Sequence, residues 1–296
     1  MAIRKLVIPV AGFGTRMLPA TKSIPKEIMP IVDRPVIHYL AEEAVQSGIE
    51  EIILVNHPGK KALEDYFKPN PELEQRLADG GKTELLEQLQ AINTMVKIST
   101  VYQPEPLGNG HAILMARELV GNEPFAIVWG DDIFEGPEPR LKQLIETFDQ
   151  HNGSVLALVE SKDEASFPEY CRRYGCVGVE NMSEKTHRIT TIIEKPAPEV
   201  APSNFFSVGG YIFTPTIFDI LAETKPGKGG EIWLADAAVE LLNKESIYGR
   251  VINGTYWDIG NKMGFLKANF HYALTRSDTA GEFRQFVEDE LADSGS

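Results

Sequence analysis

Short apolar runs alternate with segments of helical periodicity through the first half of the chain. Leu6–Val10 is an apolar run that gives way to a glycine-bearing turn. Val36–Ser47 places Val36, Ile37, Leu40 and Ala44 on one helical face and stops at Gly48. Glu51–Val55 and Val96–Tyr102 read as strands, His111–Leu119 as a helix and Phe125–Trp129 as a strand. Leu141–Asp149 then reads as a helix and Ser154–Val159 as a strand. Strand and helix alternate to about residue 160. That order predicts a parallel sheet with helices on both faces, and uninterrupted apolar strands fit burial on both sides.

Beyond that point the pattern changes. Cys176–Val179, Ile189–Ile193 and Phe206–Phe213 are strand-like with no helical segment between them, which predicts antiparallel additions to the sheet. Residues 215–222 and 234–243 return to helix, and Ile247–Ile252 to strand. Lys262–Leu274 and Glu282–Leu291 are helix candidates, and Asp293–Ser296 reads as a frayed end. The predicted fold class is α/β, with a Rossmann-like, mostly parallel central sheet, helices on both faces and added antiparallel strands. Residues 1–275 read as one domain with a helical insertion at 60–95, and 276–296 as a C-terminal helical tail.

Composition narrows the partners. With 296 residues, 43% hydrophobic and 24% charged, the chain can bury a core without metal or disulfide support. The net charge of −14 argues against a nucleic-acid backbone as partner. No apolar run approaches the ~20 residues of a membrane-spanning helix, so no membrane partner is expected, and the start lacks a cleavage-type segment. Cys171 and Cys176 are too few for a disulfide framework and have no histidine at ligand spacing, which argues against zinc. Both read as reduced thiols of a cytoplasmic protein.

The chemistry concentrates at residues 11–27, directly after the first strand. Gly12 and Gly14 let the main chain approach a phosphate closely. Arg16, Lys22 and Lys26 gather cations beside them in an otherwise acidic chain, as a triphosphate-holding loop would. A dinucleotide fingerprint would need glycine where Met17 stands, and an acid after the second strand where Asn56 stands. A Walker A loop would need a following Gly-Lys-Ser/Thr. Trp129-Gly130-Asp131-Asp132 ends a buried strand, a position suited to a hard cation such as Mg²⁺. Adjacent aspartates on extended chain point to opposite sides, so one is a ligand candidate and the other reads as a turn or cap. Asp258 in Tyr256–Asn261 would by itself read as an N-cap. Pro196 is expected to hold Glu194-Lys195 extended at a strand end. Gln103 lies in a Pro- and Gly-shaped loop, with an amide able to donate and accept.

Gly12-x-Gly14-Thr15-Arg16 followed by Pro25-Lys26-Glu27 resembles the signature of the sugar-1-phosphate nucleotidyltransferases. The stretch Ala11–Pro35 is most similar to the bacterial members that transfer a uridylyl group to glucose 1-phosphate. Later motifs follow in the family's order to about residue 275. The resemblance implies in-line attack of glucose 1-phosphate on the α-phosphorus of UTP, giving UDP-glucose and pyrophosphate with Mg²⁺ as cofactor. It assigns the catalytic charge work to Arg16 and Lys26, with Lys22 at the rim. It places Ala11, Gly12, Gly14, Thr15, Glu27, Gln103 and Gly108 around the nucleotide, Gln103 and Gly108 at the base. Gly175, Glu194 and Lys195 are implied for the sugar phosphate, with Tyr174 backing the ring, and Asp131 and Asp258 for the metal. His111 is expected to cap or pack its helix, since this reaction needs no general base. A homo-oligomer, dimer or tetramer, is implied. Asn109, Gly210 and Trp233 depart from the family's usual hydrophobic residue, Arg and Gln. A thymidylyltransferase, a uridylyltransferase for another sugar 1-phosphate and a catalytically silent nucleotide-binding subunit stay open as alternatives. The last should lack one of Arg16, Lys26, Asp131 or Asp258, and this chain keeps all four.

Overall fold

In the computed structural model, which describes residues 2–294, the chain opens with β1 (Lys5–Pro9), β2 (Pro30–Ile31), β3 (Arg34–Pro35), α1 (Val36–Gln46) and β4 (Glu51–Asn56). It continues through α2 (Lys61–Asp65), α3 (Pro71–Asp79), α4 (Thr83–Thr94), β5 (Lys97–Tyr102), α5 (Asn109–Met115), α6 (Arg117–Val120) and β6 (Phe125–Ile127). Next come β7 (Asp132–Glu135), α7 (Arg140–His151), β8 (Ser154–Glu160), α8 (Phe167–Arg173), β9 (Gly175–Asn181), β10 (Thr186–Glu194) and β11 (Phe205–Phe213). The chain closes with α9 (Thr216–Glu223), α10 (Leu234–Leu241), β12 (Ile247–Val251), β13 (Thr255–Asp258), α11 (Lys262–Thr275) and α12 (Ala280–Ser294).

Among the described residues nine strands form one sheet in the order β5-β4-β1-β6-β11-β8-β12-β10-β9. The first four run parallel, and β11 is antiparallel to its neighbours β6 and β8. Alternation along the strands sends side chains to two separate cores. Val7, Ile53 and Val55 face one, with Ile113, Phe218 and Leu234 from α5, α9 and α10. Leu6, Ile8, Ile52 and Leu54 face the other, with Leu40, Ala44, Leu144 and Phe148 from α1 and α7. Period-2 alternation between two helix-covered faces is why these strands read as unbroken apolar runs.

Several boundaries differ from expectation. The strand read to Trp129 ends at Ile127, and the helix read over 111–119 is two short helices meeting at Ala116. The segment at 60–95 is helical as α2, α3 and α4, and no residue of α3 or α4 is buried. The end read as frayed is helical as far as Ser294, and residues 295–296 lie outside the described residues. A helix at α8 and a ribbon of β7 with β13 were not expected, and both build the site below. Cys171 and Cys176 are buried, unpaired thiols packed against Phe206. Among the described residues no helix is long and apolar enough to cross a membrane.

Candidate active site

Parallel β1, β4, β5 and β6 all end at one edge of the sheet, where ligands bind in open α/β folds. A cavity of about 500 Å³ opens there. Its walls include Ala11, Gly12, Arg16, Lys26, Glu27, Gln103, Gly108, Asp131, Gly175, Glu194, Lys195 and Asp258, residues scattered over most of the sequence. Gly14 and Thr15 do not line it. Gly14 instead closes the turn, its carbonyl accepting from Met17 N at 2.9 Å and from the Thr21 hydroxyl at 2.8 Å.

Lys26 Nζ donates to Asp131 Oδ2 at 2.6 Å, and Arg16 Nη2 lies 3.7 Å from the same oxygen. Burial alone would lower the Lys26 pKa, but Asp131 and Glu27 outweigh it and the ammonium is held charged. The Arg16 side chain is largely exposed. Glu27 is fully buried at the cavity wall, and its carboxylate accepts from Lys60 Nζ at 3.1 Å. Lys60 also donates to the carbonyls of Val10 and Gly12, each at 2.6 Å. Those bonds occupy two of the loop's carbonyl acceptors. Burial pushes Glu27 up against the pull of both lysines and brings Lys60 down against the pull of Glu27. Lys60 lies 33 residues from Glu27 in sequence, so no local motif could have singled it out.

The second wall comes from the β7–β13 ribbon, whose register sets Asp258 opposite Asp132. Ile259 N donates to the Asp131 carbonyl at 3.0 Å, joining the two aspartate segments. Asp258 Oδ2 accepts from Arg173 Nη2 at 2.6 Å, and the Arg173 guanidinium also covers the Tyr174 ring at 5.2 Å. Asp258 Oδ1 accepts from Gly260 N at 3.0 Å. Asp131 and Asp258 thus each hold a cationic side chain and offer hard oxygen donors on one wall, a donor chemistry that fits a divalent cation such as Mg²⁺. Asp132 closes the turn at Gly130-Asp131, its N–H donating to Trp129 O at 3.2 Å, and caps no helix. It begins β7 and is buried, with Oδ2 lacking a hydrogen bond, and burial together with the charge of Asp131 pushes its pKa well up.

At the third wall the β9–β10 register pairs Gly175 with Glu194. A Cβ at Gly175 would stand 3.1 Å from Glu194 Oε2, so the glycine makes room for that carboxylate. Lys195 is not extended as expected. β10 ends at Glu194 and Lys195 takes φ +47°, a left-handed conformation that redirects the chain as it leaves the strand. Its Nζ reaches Glu194 Oε1 at 3.3 Å.

The fourth wall carries Gln103, Gly108 and Trp233. Gly108 takes φ +99°, and a Cβ there would meet Ile232 O at 2.5 Å, so only glycine lets the two segments close. Asn109 Oδ1 accepts from Leu234 N at 2.9 Å and caps α10, which accounts for a polar residue at this position. Gly210 is accounted for by Arg140. A Cβ at Gly210 would lie 2.8 Å from the Arg140 chain, which is fully buried, paired with Glu43 at 2.8 Å and donating to Gly209 O at 2.5 Å. Sequence reasoning missed Arg140 and Arg173 because each acts through partners distant along the chain.

Residues 5–274 match the family described as Nucleotidyl transferase. The UTP–glucose-1-phosphate uridylyltransferase 2 of Staphylococcus saprophyticus is 42% identical over 286 residues, covering 97% of this chain and 97% of that one. A UTP-bound UGPase from Acinetobacter baumannii superposes with a TM-score of 0.89 at 36% identity, covering 97% of this chain and 99% of that one. A UDP-glucose pyrophosphorylase complexed with UDP-glucose gives a TM-score of 0.82 at 37% identity, covering 93% of this chain and all of the other.

Proposed function

Because the chain belongs to the nucleotidyl transferase family, we propose that it transfers UMP from UTP to glucose 1-phosphate, forming UDP-glucose and pyrophosphate. One observation carries this reading: Arg16, Lys26, Asp131 and Asp258 wall the same cavity as the polar side chains Gln103, Glu194 and Lys195. The UTP and UDP-glucose bound in two of the similar structures are the nucleotide substrate and the sugar-nucleotide product of that reaction.

In this reading a phosphate oxygen of glucose 1-phosphate attacks the α-phosphorus of UTP in line, and pyrophosphate leaves. No covalent intermediate forms, so the protein works by positioning and by neutralising charge. Gly12, Gly14 and their neighbours Ala11 and Thr15 shape the loop that receives the triphosphate, with Glu27 and Lys60 bracing it from behind. Arg16 grips the β- and γ-phosphates through its planar fork, while Lys26 supplies a buried point charge to the triphosphate. Gln103 and Gly108 take the base. Glu194 takes sugar hydroxyls, Lys195 the sugar phosphate, and Gly175 leaves space for the ring. Asp131 and Asp258 would hold Mg²⁺, which would neutralise phosphate charge there. Residues 1–275 serve as the catalytic domain and 276–296 as a helical tail. The family resemblance and the unpaired thiols support a cytoplasmic homo-oligomer.

The test is pyrophosphate release across a grid of nucleoside triphosphates and sugar 1-phosphates, with and without Mg²⁺. The expected result is Mg²⁺-dependent turnover highest with UTP and glucose 1-phosphate. A higher rate with dTTP, or with a different sugar 1-phosphate, would replace the substrate assignment. No turnover with any pair would leave a nucleotide-binding subunit.

A further inference from the structure

Gln103 is buried to 6% exposure on the cavity wall, and its backbone N–H is fixed to Asn56 O at 2.8 Å. Its side-chain Nε2 lies 3.0 Å from the Gly108 carbonyl and 3.0 Å from His111 Nδ1. A carbonyl can only accept, so the NH₂ end of the amide must face Gly108. The same NH₂ group has only donors to offer His111, so Nδ1 must be an acceptor and the imidazole carries its proton on Nε2. Both amide hydrogens are then spent inside the protein. Among the described residues Gln103 Oε1 has no hydrogen bond, and it is the end left for a ligand.

The Gly108 carbonyl cannot drift away from this bond. Gly110 N donates to Ile232 O at 2.9 Å and Ile232 N donates to Leu107 O at 2.8 Å, which clamps the loop on either side of it. His111 stands on the first turns of α5, directly after that clamp. A flipped amide would set Oε1 against the Gly108 oxygen, and His111 could meet it only by moving its proton from Nε2 to Nδ1.

We propose that His111 is a positioning residue that fixes the polarity of the Gln103 amide and so makes the site choose uracil over cytosine. The inference rests on reading Gln103 as the base contact. Uracil carries N3–H, a donor that Oε1 can accept. Cytosine carries a bare N3, which would face Oε1 acceptor to acceptor and would need the flipped amide, which sets Oε1 against the Gly108 carbonyl and costs His111 its present tautomer. Thymine shares the N3–H of uracil, so the device separates UTP from CTP and leaves UTP and dTTP alike.

The experiment measures kcat/KM for UTP, CTP and dTTP with glucose 1-phosphate in four variants. His111→Leu and His111→Phe both remove the acceptor, and the second keeps a ring of similar packing. Each is expected to lower the UTP-to-CTP ratio about tenfold, the scale of one net hydrogen bond, with the UTP-to-dTTP ratio unchanged. His111→Asn returns an oxygen acceptor near the place of Nδ1 and is expected to restore the UTP-to-CTP ratio. Gln103→Leu is the control and should collapse that ratio. If the control collapses it while His111→Leu and His111→Phe preserve it, the role of His111 is overturned and the base reading of Gln103 stands. A uniform loss on all three nucleotides in the His111 variants, with ratios kept, would likewise overturn it. If Gln103→Leu leaves the UTP-to-CTP ratio intact, the base reading itself falls.

Discussion

Lys26 and Asp131 meet at 2.6 Å with little water around them, so each is the other's main stabiliser until a ligand arrives. Charge placed in a water-poor pocket acts strongly on a phosphoryl group, and removing one such group costs on the order of 10²-fold in kcat. Lys26→Ala and Asp131→Asn are each expected to lower kcat by at least ~10²-fold in a steady-state assay with UTP and glucose 1-phosphate. The Lys60–Glu27 pair makes a different prediction, one of stability. Lys60→Met leaves a buried carboxylate without its partner, which should cost about 3–5 kcal/mol in urea unfolding. Burial raises the folded-state pKa of Glu27, so the protonated form is the one the fold favours. The Lys60→Met protein should therefore be most stable at acid pH and lose stability as pH rises through that raised value. Adding Glu27→Gln should recover much of the loss at neutral pH.

The base loop and the end of α11 are held by single side chains whose removal can be measured. Asn109→Ala removes the cap of α10 and should cost about 1 kcal/mol in chemical denaturation. Arg276, just after α11, pairs with Asp33 in the β2–β3 turn and with Asp278 at 2.6 Å. Hydrogen bonds from Arg276 hold both carboxyls below their usual value of 3.8. A lowered folded-state pKa gives stability that is complete above the ordinary value and is lost as pH falls through the lowered one. Amide protection factors at residues 276–279, taken relative to the intrinsic exchange rate at each pH, should hold above about pH 4 and fall below it, and Arg276→Ala should remove that fall. At this scale the long elements were legible because their periodicity is strong. α8 and the β7–β13 ribbon were not. α8 has seven residues with a proline near its start, and each ribbon strand has four, too few for any period to show. Yet the ribbon is what sets Asp258 across from Asp132.

Across the whole molecule, the sheet edge gathers residues from position 11 to position 258 into one cavity. Linear motifs pointed to the groups on its surface, because glycines, paired cations and strand-end aspartates carry their chemistry in their local order. The groups that brace that surface were harder to read. Lys60, Arg140 and Arg173 matter through carbonyls and carboxylates that only the fold brings near, and no spacing rule encodes such contacts. The strain at Lys195 was hidden for the same reason, since a proline after it suggested extended chain and the end of β10 imposes a left-handed turn instead. The account stands most directly on where a triphosphate and its metal settle. Crystals soaked with UTP and Mn²⁺ should show an anomalous peak within bonding distance of both Asp131 and Asp258, phosphates on Arg16 and Lys26, and uracil at Gln103. A peak bonded to neither aspartate, or a nucleotide lying outside the cavity, would contradict it.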